Sequence, residues 1–402
     1  MTAVRLGVLG AGAAGGAAAK TLRDAGLEAE IDLIARTSEQ PVNRTLVNKG
    51  IAVGLLAPEQ AALPDAGVNL VKDTVRGITP RNRQVHLDSG ATREYDGLIV
   101  ATGSRPRALG VDVLGQDEAA TSGRLTSLHS VNDAIRVRDR IASLGQPARI
   151  IMLGGGLLAS ETASLLAVGG NDVALISRSP VPGATAFGEY IATAILELHR
   201  ARGATYLGHT VMAIRTHSDR ITVILDNDEH IEGDLAIIAH GTVPAAPSPW
   251  NGPDGVPVSS RLRLREVPGQ RIYAAGGVAS HTRPGIGEYR IDHWNDAVAQ
   301  GTHAARSLLH DLDCADDPGT YLPVSMFTSS IHGRILAGAG HSGHRVTEQL
   351  VSTDPVLVTH TRDGVPVAAT GLDAVAEVHQ WAARLHQTPE TQIDARPEEG
   401  QD

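Results

Sequence analysis

Two short runs of small residues have the spacing needed to hold a phosphate. The first is Gly10-Ala11-Gly12-Ala13-Ala14-Gly15. Gly10 permits a tight turn, Gly12 lets backbone approach a pyrophosphate, and Gly15 lets a helix pack close on a strand. Ala13 opens that helix, whose N-terminus offers N–H donors and a positive dipole. The second run is Gly154-Gly155-Gly156-Leu157-Leu158, with Ala159 where the first run has its third glycine. A glycine turn also joins strand to helix where no ligand binds, so either run alone says little. Recurrence with the same flanking elements points to two nucleotide sites on two similar folds.

Those turns need strands before them and helices after them, and the chain provides both. Val4, Leu6, Val8 and Leu9 form an apolar run, an alanine-rich helical segment closes at Gly26, and a second strand runs through Leu33 and Ile34. The pattern returns as a strand over 148–153, a helix through Leu166 and a strand over 172–176. Between the two units we expect a loop at 37–50 entering a short helix near Thr45. An antiparallel meander over 69–71, 74–75 and 85–87 follows, then a buried strand at 98–101, a linker at 105–125 and a charged helix at 133–144. Buried strands at 234–239 and 271–275 and a helix at 295–310 complete the α/β part. From Tyr321 the alternation over 335–339, 356–360 and 365–369 predicts an antiparallel domain finished by a helix near 374–385.

Bulk properties agree with that class. The chain has 402 residues, 42% of them hydrophobic, only 3% aromatic, with 44 glycines, which suits a Gly/Ala/Val-rich α/β protein of two or three domains. A net charge of −10 argues against nucleic-acid binding. No signal-peptide pattern and no apolar run of about 18 residues is present, so neither export nor a membrane is expected and a cytoplasmic location is. One cysteine, Cys314, rules out an intrachain disulfide and a CxxC pair. The 17 histidines fit no HExxH pattern, and His341-Ser342-Gly343-His344 reads as a solvated loop, so no metal site is expected. There is no hydrolase elbow and no P-loop.

Together the motifs resemble the two-dinucleotide-fold flavoprotein reductases, in the ferredoxin-reductase-like branch that serves oxygenase systems and includes apoptosis-inducing factor. The matching pieces run nearly the length of the chain: Gly10, Gly12 and Gly15; Pro41-Val42-Asn43-Arg44 with Lys49; Ala101-Thr102-Gly103 with Arg107; Gly154 to Glu161; Ala239-His240-Gly241 with Pro244; Tyr273-Ala274-Ala275-Gly276; and His293-Trp294 with Ala297. The resemblance implies two Rossmann-like dinucleotide-binding domains, the NAD(P) domain inserted in the FAD domain, plus a small α+β C-terminal domain. The corresponding boundaries are 1–115 and 239–312 for the FAD domain, 116–238 for the NAD(P)H domain, 313–386 for the C-terminal domain and 387–402 for a disordered tail. It implies FAD held by Gly10, Gly12, Ala13, Gly15, Arg36, Arg44, Lys49, Ala101, Thr102, Gly103, Arg107, Gly276, Gly277, Val278, His293 and Trp294. It implies NADPH or NADH held by Gly154, Gly156, Leu157, Leu158, Ser177, Arg178 and Gly241. Lys49 and Glu161 stand where the family has a catalytic lysine–glutamate pair beside flavin and nicotinamide, and Arg44 matches an arginine on the FAD pyrophosphate. The implied reaction passes a hydride from nicotinamide to flavin and then electrons to a ferredoxin or similar redox protein. The missing cysteine near Lys49 excludes the disulfide, peroxidase and coenzyme A disulfide branches.

The chain departs from that pattern in four places. The acid expected at the end of the second strand is Ala35 or Arg36, with Asp32 too early to replace it. The aspartate expected after Gly276 is Gly277, and two lost hydrogen bonds of about 1.5 to 3 kcal/mol each would loosen FAD. The segment expected as Phe-Trp-Ser-Asp-Gln-Tyr-Gly reads Phe327-Thr328-Ser329-Ser330-Ile331-His332-Gly333. Ser177-Arg178 replaces an acid–arginine pair, which favours NADPH over NADH. Two alternatives follow from these changes: a same-fold flavoenzyme acting directly on a small-molecule oxidant, and a flavin-poor nucleotide-binding regulatory protein.

Overall fold

The computed structural model describes residues 4–36, 41–267, 269–283, 287–322, 326–341 and 346–387. Ser342, Gly343 and His344 of the histidine loop, and the tail from 388 onward, lie outside the described residues.

Val4–Leu9 is the centre of the first sheet, with Leu6, Val8 and Leu9 fully buried, as a strand covered by helices is. The sheet has five parallel strands in the order Ile272–Ala274, Gly97–Val100, Val4–Leu9, Ala29–Ala35 and Asn69–Lys72. Helix Ala13–Asp24 covers one face and packs on helix Trp294–Asp311 so closely that a Cβ on Gly301 would fall under 3.0 Å from the backbone of Ala14. The second sheet repeats the plan around Arg149–Leu153, in the order Thr205–Leu207, Asp172–Ser177, Arg149–Leu153, Leu235–Ile238 and Leu125–Ser127, again all parallel. Each unit also carries a three-stranded antiparallel sheet, 75–94 in the first and 211–233 in the second. Two strands connect them as an antiparallel ribbon, Ser104–Pro106 against Thr242–Pro244. A third unit holds five antiparallel strands from Met326–Ile331 to Val365–Leu372, with helix Val375–Gln387 on it. Among the described residues no helix is long and apolar enough to cross a membrane.

Two sequence expectations are corrected. Asn69–Lys72 is not part of the meander but the edge of the first parallel sheet, because Asn69 Nδ2 donates to Asp32 Oδ1 at 2.6 Å and fixes the register with Ala29–Ala35. The 105–125 stretch is not a plain linker. It contains the end of the ribbon and helix Gln116–Thr121, whose six residues are too few for a periodic signal and which starts after Gly115 at φ +76°.

Asp32 is buried and structural. Its carboxylate accepts from the Tyr95 hydroxyl at 2.8 Å and pairs with Arg93 at 2.8 Å, besides Asn69. Burial, then the hydrogen bond and charge of Asp32, push the Tyr95 hydroxyl's pKa up, so it stays a donor. Tyr95→Phe removes that donor and leaves Arg93 on the same oxygen. We expect a loss of about 1–2 kcal/mol, seen in thermal unfolding as a fall of a few °C, and an unchanged Tm would show the bond to be worth nothing net.

Candidate functional site

The two glycine turns fold alike because the same backbone distances recur. Gly10 N–H donates to Ile34 O at 2.8 Å and Gly154 N–H to Ile176 O at 2.8 Å. Both glycines have φ values open to glycine, +112° and +140°. A Cβ on Gly10 would fall under 3.0 Å from Ala101 O, and one on Gly154 equally close to Ala239 O. Gly15 lies under the helix start, where a Cβ would meet Gly10 O. Gly12 and Gly156, by contrast, cap helices Ala13–Asp24 and Leu157–Val168 with nothing within 4 Å of a Cβ. The open side of each turn therefore faces a space into which free helix N–H groups point.

The residues around the first turn fit a dinucleotide. Thr102 Oγ1 and His293 Nδ1 are buried without a hydrogen-bond partner, polar atoms that a ligand would satisfy. Arg44 is exposed to solvent yet surrounded by protein, as a side chain lining a cleft is. Desolvation and the charge of Arg36 lower its pKa, so two cations share one region. An anion between them relieves both terms. Arg44 also meets His129, whose pKa burial and then Arg44 push down to about 4. Gly276, at φ +76°, lies against the first helical turn, where a Cβ on it would come to 3.0 Å from Ala14 Cβ, and it gives its N–H to Gln300 Oε1 at 2.7 Å. Gly277 and Val278 follow as a single tight turn, while on either side of Thr102 the Ala101 N–H donates to Leu9 O at 2.8 Å and Gly103 O accepts from Ala245 N–H at 2.9 Å.

Near the second turn, Ser177 is buried at the strand end and accepts from Ser179 N–H at 3.1 Å. Arg178 next to it is exposed. Burial, then Arg178 and Arg107, lower the His240 pKa, and Arg107 stands on the ribbon, where its N–H donates to Gly241 O at 3.0 Å. Leu157 and Leu158 begin the helix, and Leu158 stays exposed. Trp294 begins helix Trp294–Asp311, and His293 before it meets Phe327 of the third unit edge-on at 5.3 Å between centroids.

Lys49 and Glu161, far apart in sequence, meet where all three units join. Lys49 Nζ is 2.9 Å from Glu161 Oε1; the lysine side chain is 39% exposed and the glutamate 7%. Val47–Ile51 forms one turn of wide helix that aims Lys49 inward, and Glu161 sits in helix Leu157–Val168 after the second glycine turn. Two residues that the sequence did not single out for this role finish the arrangement. Asn48 Nδ2 donates to Glu161 Oε2 at 2.9 Å, and Ser329 Oγ donates to Glu161 Oε1 at 2.5 Å. Asn48 was detectable as the neighbour of Lys49; Ser329 lies in the altered 327–333 segment, whose role only the fold reveals. A cavity of about 250 Å³ lies here, lined by Lys49, Glu161, Leu165, Thr328, Ser329 and Ser330 among others.

Asp292 also escaped the sequence reading. Its Oδ2 accepts from Ser104 Oγ and Thr242 Oγ1, both at 2.6 Å, and lies 3.7 Å from Arg290. Burial works to raise its pKa, but those hydrogen bonds, with the charges of Arg290 and His129, outweigh it and hold the pKa below the usual aspartate value. Its carboxylate stands beside Gly277, where a Cβ would fall under 3.0 Å from Oδ1.

Comparison with known proteins bears on this geometry. A family model described as pyridine nucleotide-disulphide oxidoreductase matches residues 4–301. Terpredoxin reductase from Pseudomonas sp is 33% identical over 248 residues, 59% of this chain and 58% of that protein. The ferredoxin–NAD(+) reductase component of a 3-phenylpropionate/cinnamic acid dioxygenase from Photorhabdus laumondii is 26% identical over 318 residues, 75% of this chain and 77% of that one. Among solved structures, a chain of the covalent putidaredoxin reductase–putidaredoxin complex superposes with a TM-score of 0.84 at 21% identity, over 98% of this chain and 96% of the other, a likeness of fold.

Proposed function

The chain belongs to the pyridine nucleotide-disulphide oxidoreductase family, and from that premise we propose that it is an FAD-dependent NAD(P)H oxidoreductase that delivers electrons to a ferredoxin-type redox protein. The observation that carries this reading is the Lys49–Glu161 ion pair at the junction of two glycine-turn units. When bound, FAD supplies a hydride acceptor that can release electrons one at a time. The remaining work falls to the protein. The turns at Gly12 and Gly156 offer N–H donors to two pyrophosphates, and Arg44 and Arg36 neutralise the first of them. Lys49 presents a positive charge where negative charge develops, and Glu161 holds it there while Asn48 and Ser329 hold Glu161. Arg178, exposed and without an acid before it, suits the 2′-phosphate of NADPH. The Photorhabdus laumondii relative, named as the ferredoxin–NAD(+) reductase component of a dioxygenase, supports the redox-protein partner. A pyridine nucleotide as reductant makes the cytoplasm the location we propose.

The test is the visible absorption spectrum of the purified protein before and after anaerobic NADPH, then NADH. A flavin spectrum that bleaches faster with NADPH is expected; a colourless protein that takes up no added FAD overturns the reading and leaves the regulatory-protein alternative. A second reading is favoured by the cavity at Thr328, Ser329 and Ser330. It has room for a small-molecule oxidant acting directly. Cytochrome c reduction that depends on added ferredoxin separates the two, since turnover with small acceptors alone supports the second.

A further inference from the structure

We propose that Asp292 is a cofactor-binding residue: its carboxylate grips a hydroxyl-bearing, phosphate-free part of the bound dinucleotide, the ribityl chain, from the space that Gly277 leaves open. The proposal rests on the FAD reading above and adds a residue and a chemical contact to it. Its first support is position. Gly277 follows Gly276, which packs on Ala14 at the mouth of the first pyrophosphate turn, and the Asp292 carboxylate fills the volume where a side chain on residue 277 would begin. Absence of a side chain at Gly277 and presence of a carboxylate from Asp292 are thus one arrangement.

The second support is how the carboxylate is held. Oδ2 takes both the Ser104 and the Thr242 hydroxyls and faces Arg290. Arg290 is itself braced, donating to Gly277 O at 2.7 Å and Thr242 O at 2.9 Å. Oδ1 receives no hydrogen bond among the described residues. A carboxylate offers about four lone-pair sites, so an oriented oxygen is left to accept from a ligand.

The third support is chemical selection. Kept ionised, Asp292 can only accept hydrogen bonds. It therefore repels a phosphate and calls for a hydroxyl donor. Phosphates have their own cations close by in Arg44 and Arg36. The arrangement sorts the dinucleotide along its length, charge to the arginines and polyol to the aspartate. A purely structural reading is that Asp292 ties together the ribbon strands that carry Ser104 and Thr242, and the two readings differ in what they predict for ligands.

The experiment uses full-length apoprotein stripped of flavin, with FAD binding read from quenching of flavin fluorescence and ADP binding read by competition. ADP shares the adenosine and pyrophosphate but has no ribityl chain. Asp292→Asn and Asp292→Ala are expected to weaken FAD by about 10- to 100-fold and to leave ADP within about twofold. The double variant Asp292→Ala/Gly277→Asp, which returns a carboxylate through position 277, is expected to regain most of the FAD affinity. Unchanged FAD affinity in both single variants, or equal losses for FAD and ADP, overturns the proposal in favour of the structural tie. Failure of the wild-type apoprotein to bind FAD is a different result, and it falls on the proposed function instead.

Discussion

Lys49→Ala and Glu161→Ala should each slow reduction of the protein's flavin by NADPH by about 100-fold or more, measured anaerobically by stopped flow. The pair sits at one point for a physical reason. Glu161 is almost fully buried and Lys49 is not, so the glutamate is the fixed member and the lysine the one it aims. Removing Lys49 leaves a buried carboxylate still served by Asn48 and Ser329, which limits the folding penalty to about 1–3 kcal/mol. Removing Glu161 lets Lys49 reach water but leaves the buried Asn48 amide and Ser329 hydroxyl without their acceptor, a larger penalty together with a lost orientation. Similar rate losses with unequal stability losses are therefore the expected signature. Wild-type reduction rates in both variants would end the assignment of this pair.

The second large effect separates glycines that build a turn from those that leave room for a ligand. Gly15→Ala puts a methyl under 3.0 Å from Gly10 O, where neither backbone can yield without parting helix from strand. A loss above about 4 kcal/mol, or no soluble protein at all, is expected. Gly12→Ala meets nothing within 4 Å and has φ −79°, so stability should stay within about 0.5 kcal/mol. Its methyl nevertheless projects to the open side, and FAD affinity should fall by about 10-fold or more through displaced phosphate contacts. Equal FAD affinity in Gly12→Ala, read by fluorescence titration, would mean that no phosphate comes near that position.

These contrasts also explain what could be read before folding. The two parallel sheets were legible because buried strands are continuous apolar runs and because Gly10 and Gly154 mark a steric demand that only glycine meets. The inner and outer placement of Asn69–Lys72 was not, since its partner is Asp32 through a side-chain bond and not through periodicity. Lys49 and Glu161 were visible one at a time as motif members; their 2.9 Å approach needed the fold. Ser329 and Asp292 were harder. Each acts on a residue brought to it from another part of the chain, Glu161 and Gly277, and neither has an unusual local sequence. Gly277 read alone suggested a lost anchor, and only the packing showed a carboxylate already standing there.

The ribbon that joins the two dinucleotide units has a bearing on how such a chain folds. Pro106 lies across from Thr242 and Ser104 across from Pro244, so everything from 107 to 241 departs and returns at adjacent strand positions, about 5 Å apart. Gly97–Val100 and Ile272–Ala274 must meet in one sheet across that insertion. If the inner unit is still a coil, bringing them together means closing a loop that includes its roughly 135 residues. Once it has folded with its ends clasped, the same closure spans only the flanking segments, about 36 residues, and the entropy opposing it falls by about 1.4 kcal/mol on a logarithmic length law. A folded guest unit thus acts as a template for its host: with its ends clasped, the long-range pairing of the first sheet becomes a shorter-range event.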